Sequence, residues 1–478
     1  MTENTLTTHE EIGAVALAAD SNVFQKVLAN YGLPTEGIVA PTPDREIVCG
    51  NLPHFFAGLS NEQKRSARYL SKFVGAAAVG LFDAALNYIW NEVVENLRGK
   101  VVQYGVELFY DAALGGAMRQ NFKDATDLDG LKDRVLLDTC YKVEIISFVL
   151  YKKLEYILVM RNEIAASHPT MDQVSGYELM SFVQVCVNEV IQSPLSVSAI
   201  QTKQLQDHLK DPSLVVDSTY VTSFNEQVDR LSIVHADNLL ISFCGLYCDP
   251  NTDQAILHNI ALLVPHLWSS SSDEVKYKTA ARMDAYKANL SQAKAKRLEE
   301  FLDIVDGHSF RQMHAKEIEL SALIEKLEDA HAGWDNYYHE PPVMQEVLKF
   351  CKSFSDVPEK VRGALVRIVL RCRIGRGISY AEGVSPRGKP MYDAFLQMLN
   401  DDGMMHLLFA MLSSNVKVSL SNKICQKHLK GIIEMQLTKV ATPRLKDALS
   451  YVLAHINRAD SLSEDREFMN LIQPFARP

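Results

Sequence analysis

The chain has little of what would place a protein outside the cell or inside a membrane. Cysteine is sparse, with eight in 478 residues, at 49, 140, 186, 244, 248, 351, 372 and 425, most of them inside apolar stretches. That excludes a disulfide scaffold and reads as the reduced thiols of a cytosolic protein. No uncharged apolar run reaches the about 18 residues that a membrane-spanning helix needs, so no membrane span is expected. The opening residues, "MTENTLTTHEE", lack a basic stretch followed by an apolar one, so no export signal is expected. Excess positive charge is missing too. The net charge is −10, which removes any global pull toward nucleic acid or an anionic membrane and leaves polyanion binding to local patches. Alternating apolar and polar residues of the kind strands need are rare, and no internal repeat has a clean period. The expected fold class is therefore all-α, in a cytoplasmic protein that does not engage a membrane.

What remains is a series of helical segments, long enough for about two to four domains. Residues 1–57 read as an N-terminal arm: "EEIGAVALAADSNVFQKVLANYG" can form a helix, and the Pro- and Gly-rich "LPTEGIVAPTPDREIVCGNLP" is expected to be extended. Ser60, with Gln63 three residues on, has the spacing of a helix-capping box, and predicts a helix running to about Arg98. Further helices are expected over 101–118, from Leu131 to about Ser167, and over about 176–192. Joined by short loops, they make an antiparallel bundle over 58–195. The middle region, 196–340, is helical, with β-branched stretches in "QSPLSVSAIQTKQLQ" and "SLVVDSTYVTSF" that allow a short strand and a "SSSS" run at 269–272 that reads as a linker or surface loop. A C-terminal helical domain, 341–478, contains paired apolar helices whose packing is repeat-like.

The third helix of the bundle carries the most informative pattern. Val143, Ile146, Leu150, Leu154, Ile157 and Ile164 recur at steps of three and four and mark one buried face. Arg161 and His168 occupy further slots on that stripe. Seven residues turn a helix through about 700° and raise it by about 10.5 Å, so both side chains share a face, two turns apart. A guanidinium on a buried stripe costs several kcal/mol unless it is paired, and such breaches of local rules often mark function. His168 precedes Pro169, which ends the helix, and the C-terminal end of the helix dipole favours a protonated imidazole there. An imidazole titrating near neutrality can move protons, and an arginine beside it can hold a phosphate.

With those residues in view, "RNEIAASH" resembles the signature of the HEPN family (higher-eukaryote and prokaryote nucleotide-binding): an arginine, a polar residue, and a histidine after four to six intervening positions. Here they are Arg161, Asn162 and His168, with six between arginine and histidine. The setting is similar as well, since the family motif lies late in a long helix of a four- or five-helix bundle. The resemblance covers about 58–195, under a third of the chain. It implies a metal-independent endoribonuclease that cleaves RNA by attack of the 2′-hydroxyl, with no cofactor, working as a homodimer whose two motifs face one cleft. Arg161 would stabilise the scissile phosphate, His168 would transfer protons, and Asn162 would orient one of them or the RNA. The family analogy further implies a microbial antiviral-defence or toxin role, with an antitoxin, trigger or other regulatory partner engaging the C-terminal half. The contrasting expectation is a non-catalytic helical scaffold that binds RNA or protein and carries an inert bundle of the same kind.

Other segments compete with that reading. Residues 359–390, "EKVRGALVRIVLRCRIGRGISYAEGVSPRGKP", hold eight Lys or Arg against two Glu. Arg373, Arg376, Arg387 and Lys389 flank a glycine-containing loop and are candidate RNA- or ligand-binding residues, against the alternative of a solvated basic helix and loop. "GVSPRGKP" has phosphate-loop spacing up to its lysine, but Pro390 stands where Ser or Thr is needed, and no strand precedes it. Cys244, Cys248, His258 and His266 have intervals unlike those of a zinc finger, so no metal site is expected. "WDNYYHE" at 334–340 could stack a base or pack a helix corner, the latter being the favoured expectation. Arg230 and His235 repeat the arginine–histidine spacing, with Leu231 in place of the polar neighbour.

Overall fold

A computed structural model describes residues 21–114, 121–166 and 174–475. The fold is predominantly all-α, and no strand occurs among the described residues. The chain forms two compact units. The first comprises 1–246 and 252–271, the second 247–251 and 272–478. One of the divisions falls within the serine run, between Ser271 and Ser272.

The first unit runs α1 (Ser21–Asn30), α2 (Thr42–Ala57), α3 (Asn61–Ser66), α4 (Arg68–Val79), α5 (Phe82–Tyr104), α6 (Val106–Ala113), α7 (Asp133–Lys142), α8 (Phe148–Met160), α9 (Gly176–Gln184), α10 (Val197–Leu209), α11 (Ser218–Val228), α12 (Ile233–Cys248, whose last residues join the second unit) and α13 (Gln254–Ser270). Helix α5 is its axis. Leu86, Ile89, Trp90, Val93, Leu97, Val101 and Tyr104 are all buried, and α4 packs along them. The expected capping box is present: Ser60 Oγ accepts from the Gln63 amide at 3.1 Å, and the Gln63 side chain accepts from the Ser60 amide at 2.8 Å. The helix it starts is short, however. Ala67 has ψ 71°, Gly80 turns left-handed at φ 97°, and the stretch expected as one rod to Arg98 is three helices. At Gly80 a Cβ would lie 3.0 Å from the Ala40 amide nitrogen, so both its conformation and its neighbour require glycine.

Three expectations are corrected here. Residues 42–57 are helical, not extended. Pro43 sits in the first turn, where its missing N–H costs nothing, and Val48, Leu52 and Phe55 form a buried stripe. The two β-branched stretches form no strand: from Val197 and from Ser218 on they are helical, with the side chains of Ser196 and Asp217 capping α10 and α11, and Leu214–Asp217 is irregular. The helix expected from Leu131 to Ser167 is broken at 143–147, where Glu144 adopts φ 56°. Val143 and Ile146 are buried but lie off α8. The α8 stripe is Leu150, Leu154 and Ile157, with Arg161 at the next slot.

The second unit runs α14 (Asp273–Ala288), α15 (Gln292–Ile304), α16 (Met313–Ala332), α17 (Asn336–Phe350), α18 (Glu359–Ile374), α19 (Lys389–Gln397), α20 (Asp401–Met411), α21 (Ser414–Leu420), α22 (Lys423–Leu437), α23 (Pro443–Ala454) and α24 (Arg466–Ile472). Helix α18 is central to it, packed by α16, α19, α20 and α22, with Leu365, Val366, Ile368, Val369, Leu370 and Ile374 fully buried.

Each unit buries a histidine that its surroundings keep neutral. His235 is 1% exposed, its Nδ1 has no hydrogen-bond partner, and burial lowers its pKa from 6.5, although Glu144 opposes this at 3.7 Å. His308 is 3% exposed and likewise lowered by burial, despite the Asp303 carboxylate at 3.1 Å. As pH falls, the unfolded chain takes up these protons first, so stability is complete above about 6.5 and is lost as pH drops from there toward the lower folded values. Thermal midpoints are expected to fall between about pH 7.5 and about pH 5.5, ahead of carboxylate titration, and His235→Gln with His308→Gln should flatten that slope. An unchanged slope in the double variant would assign the acid sensitivity elsewhere.

Candidate functional site

Arg161 opens a wide π-helical turn, Arg161–Ala166, that continues α8. Such turns are rare and frequently occur at functional sites. The guanidinium is held from two helices. Its Nε donates to Asn87 Oδ1 of α5 at 2.9 Å, and its Nη1 donates to Asn162 Oδ1 at 3.0 Å. Asp133, in the first turn of α7, places a carboxylate oxygen 3.9 Å from Nη1. The same oxygen accepts from the buried Trp90 indole at 2.7 Å. The Arg161 side chain is 23% exposed, and Asp133 is 30% exposed.

This arrangement is neither a sealed ion pair nor a free surface arginine. Two neutral amides fix the plane of the guanidinium without cancelling its charge. Among the described residues, the carboxylate that pairs with it, Asp133, stands at the outer limit of ion pairing and is held by the indole. An oriented, partly open cation of this kind can receive a phosphate oxygen. Sequence reasoning named Arg161 and Asn162, which the structure brings together. It missed Asn87, Trp90 and Asp133. Asn87 and Trp90 are three apart on one face of α5, a spacing too common to single them out, and Asp133 is an ordinary first-turn acid. His168 lies outside the described residues.

A second polar region of this unit lies along α5. A cleft of about 740 Å³ is lined by Glu92, Lys100, Arg68, Glu95 and Asn96 among others. Its two most buried charges serve helix ends. Glu92 accepts from the amides of Tyr69 and Leu70 at the start of α4, and burial raises its pKa. Lys100 donates to the Val190 carbonyl at 2.6 Å, and burial lowers its pKa to about 8.

The basic segment of the second unit divides in two. Arg373 pairs with Asp393, and Arg376 donates to the Gly333 carbonyl at 2.8 Å. Arg387 and Lys389 are exposed at the start of α19. The four therefore play different parts, since two hold the unit together and two face solvent. The "GVSPRGKP" loop closes on itself, with Gly388 N donating to Ser385 Oγ at 3.2 Å and that hydroxyl donating to the Tyr337 carbonyl at 2.8 Å. In "WDNYYHE", Trp334 and Tyr338 are exposed, whereas Tyr337 stacks on Tyr380 with ring centres 5.7 Å apart. Arg230 is exposed after α11, while His235 is buried on α12, so the second arginine–histidine pair shares no helix face. All eight cysteines are buried and none is disulfide-bonded. His266 pairs with Asp229 at 2.8 Å.

Compared with known proteins, the chain matches no family model, no curated protein and no solved structure.

Proposed function

We propose that this chain is a metal-independent endoribonuclease of the HEPN type, with its reaction centre at the C-terminal end of α8. The observation that supports the reading is the Arg161 guanidinium. It sits on an apolar helix stripe, is oriented by Asn87 and Asn162, and remains partly open to solvent. Arg161 binds the scissile phosphate and stabilises the charge that builds on it. Asn162 positions Arg161. His168 moves the proton. The 2′-oxygen of the ribose forms a new bond to phosphorus while the bond to the 5′-oxygen breaks. One proton leaves the attacking hydroxyl and one reaches the leaving oxygen, giving a 2′,3′-cyclic phosphate and a 5′-hydroxyl. A second copy of the chain completes the cleft. The exposed pair Arg387 and Lys389 contributes to RNA or ligand binding, and the second unit receives the trigger or antitoxin that controls cleavage in a cytoplasmic defence or toxin system. No described helix is long and apolar enough to cross a membrane.

The test is incubation of the full chain with total RNA in EDTA, beside Arg161→Ala and His168→Ala. Cleavage by the wild type that both variants lose, with cyclic-phosphate ends, is the expected result. Equal cutting by all three proteins, or none by the wild type at any concentration, removes the proposal and favours the helical scaffold. The Asp133 carboxylate makes a further prediction. It competes with phosphate for Arg161, and a half-open pair of this kind contributes up to about 1 kcal/mol. Asp133→Asn is therefore expected to tighten RNA binding by up to about fivefold, read by fluorescence anisotropy on an uncleavable 2′-deoxy oligonucleotide. Weaker binding would show that Asp133 positions Arg161 and does not compete for it.

A further inference from the structure

The second unit holds a cluster that the proposed nuclease does not use. His331 near the end of α16, Glu340 on α17 and Cys372 on α18 place one ligand-type atom each within 4.8 Å of one another, and all three are buried. It is the one such group among the described residues. Glu340 is 1% exposed. One of its oxygens accepts from His331 Nδ1 at 2.8 Å and from Asn336 Nδ2 at 2.8 Å, and the other accepts from the Tyr392 hydroxyl of α19. Its ion-pair partner is His331.

A carboxylate this deep needs a compensating positive charge. An imidazolium could supply it, but that pair has no use for a thiol sulfur at the same point. A dication does: carboxylate, thiolate and a 2+ ion sum to zero charge. Imidazole nitrogen, carboxylate oxygen and thiolate sulfur together are the donor set of zinc-class ions. Magnesium and calcium ask for oxygen alone. Asn336 and Tyr392 already orient the carboxylate from outside, as the partners of metal ligands commonly do. From these residues we propose that His331, Glu340 and Cys372 bind one zinc-class divalent ion, with a fourth position left for water or the second Glu340 oxygen. The ion would tie α16, α17 and α18 together and would act on the stability of the second unit. The proposal stands or falls independently of the nuclease reading.

Cobalt(II) tests it on the full chain. After dialysis against chelator, titration with cobalt is expected to saturate at one ion per chain. It should give visible d–d bands together with a near-ultraviolet thiolate-to-cobalt band. Cys372→Ser should lose the near-ultraviolet band, Glu340→Gln should weaken binding at least tenfold, and zinc should displace the cobalt. Zinc should also raise the thermal midpoint of the wild type and leave that of Glu340→Gln unmoved. Absence of the thiolate band from the wild type overturns the proposal without reference to any variant. So does its persistence in Cys372→Ser. Should that variant be insoluble, His331→Gln takes its place, with unweakened cobalt binding as the overturning result.

Discussion

Alanine at Arg161 is expected to lower metal-independent RNA cleavage by about 10²–10³-fold, the usual cost of deleting one oriented donor to a developing oxyanion. The loss should fall mainly on kcat, because the guanidinium counts most when charge builds on the phosphate during attack. RNA binding draws on many other contacts. Arg161→Lys should recover only part of the rate. An ammonium keeps the charge but cannot donate to both Asn87 and Asn162 while also offering a planar edge to phosphate. The measurement is kcat and KM on a short fluorogenic RNA in EDTA, with circular dichroism to confirm the fold of each variant. A wild-type rate in Arg161→Ala would end the nuclease proposal.

Removing the Trp90 side chain is expected to have the largest effect on stability. Trp90 is 1% exposed on the central helix of the first unit, and its indole N–H also holds Asp133. Trp90→Ala should cost about 3–5 kcal/mol through lost burial and the cavity left behind. Trp90→Phe should cost less, because the ring remains, yet it leaves the Asp133 carboxylate without its indole donor. Urea unfolding followed by hydrogen exchange along α5 resolves the two effects. The alanine variant should lose protection throughout the helix, and the phenylalanine variant should keep it while lowering RNA cleavage as Asp133 turns to Arg161. A loss under about 1 kcal/mol in Trp90→Ala would mean that the core does not depend on this ring.

The helical character was legible because the apolar stripe of α8 repeats at three and four residues, and because the Ser60 box has a spacing that needs no tertiary context. What escaped has identifiable physical causes. A proline-rich stretch became α2 although Pro53 lies inside it, because Pro43 falls in the first turn and Val48, Leu52 and Phe55 bury one face of the helix. The break before α8 rests on a left-handed Glu144, a conformation that glycine would have announced and glutamate does not. Arg161 and Asn162 stood out in the sequence because an arginine interrupts an apolar stripe. The groups that orient and oppose Arg161 come from α5 and α7, and only the folded chain brings Asn87 and Asp133 to it. Arg373 and Arg376 read as phosphate ligands for the converse reason: their acceptors, Asp393 and the Gly333 carbonyl, are invisible at the level of local charge.

The buried, unbridged cysteines have a practical consequence. Four of them (49, 140, 186 and 244) belong to the first unit and four (248, 351, 372 and 425) to the second. An alkylating reagent reaches such side chains only when the surrounding structure opens. The chain thus carries an internal clock for each unit, and mass tags accumulating in one set before the other would report, with no introduced label, which half lets go first.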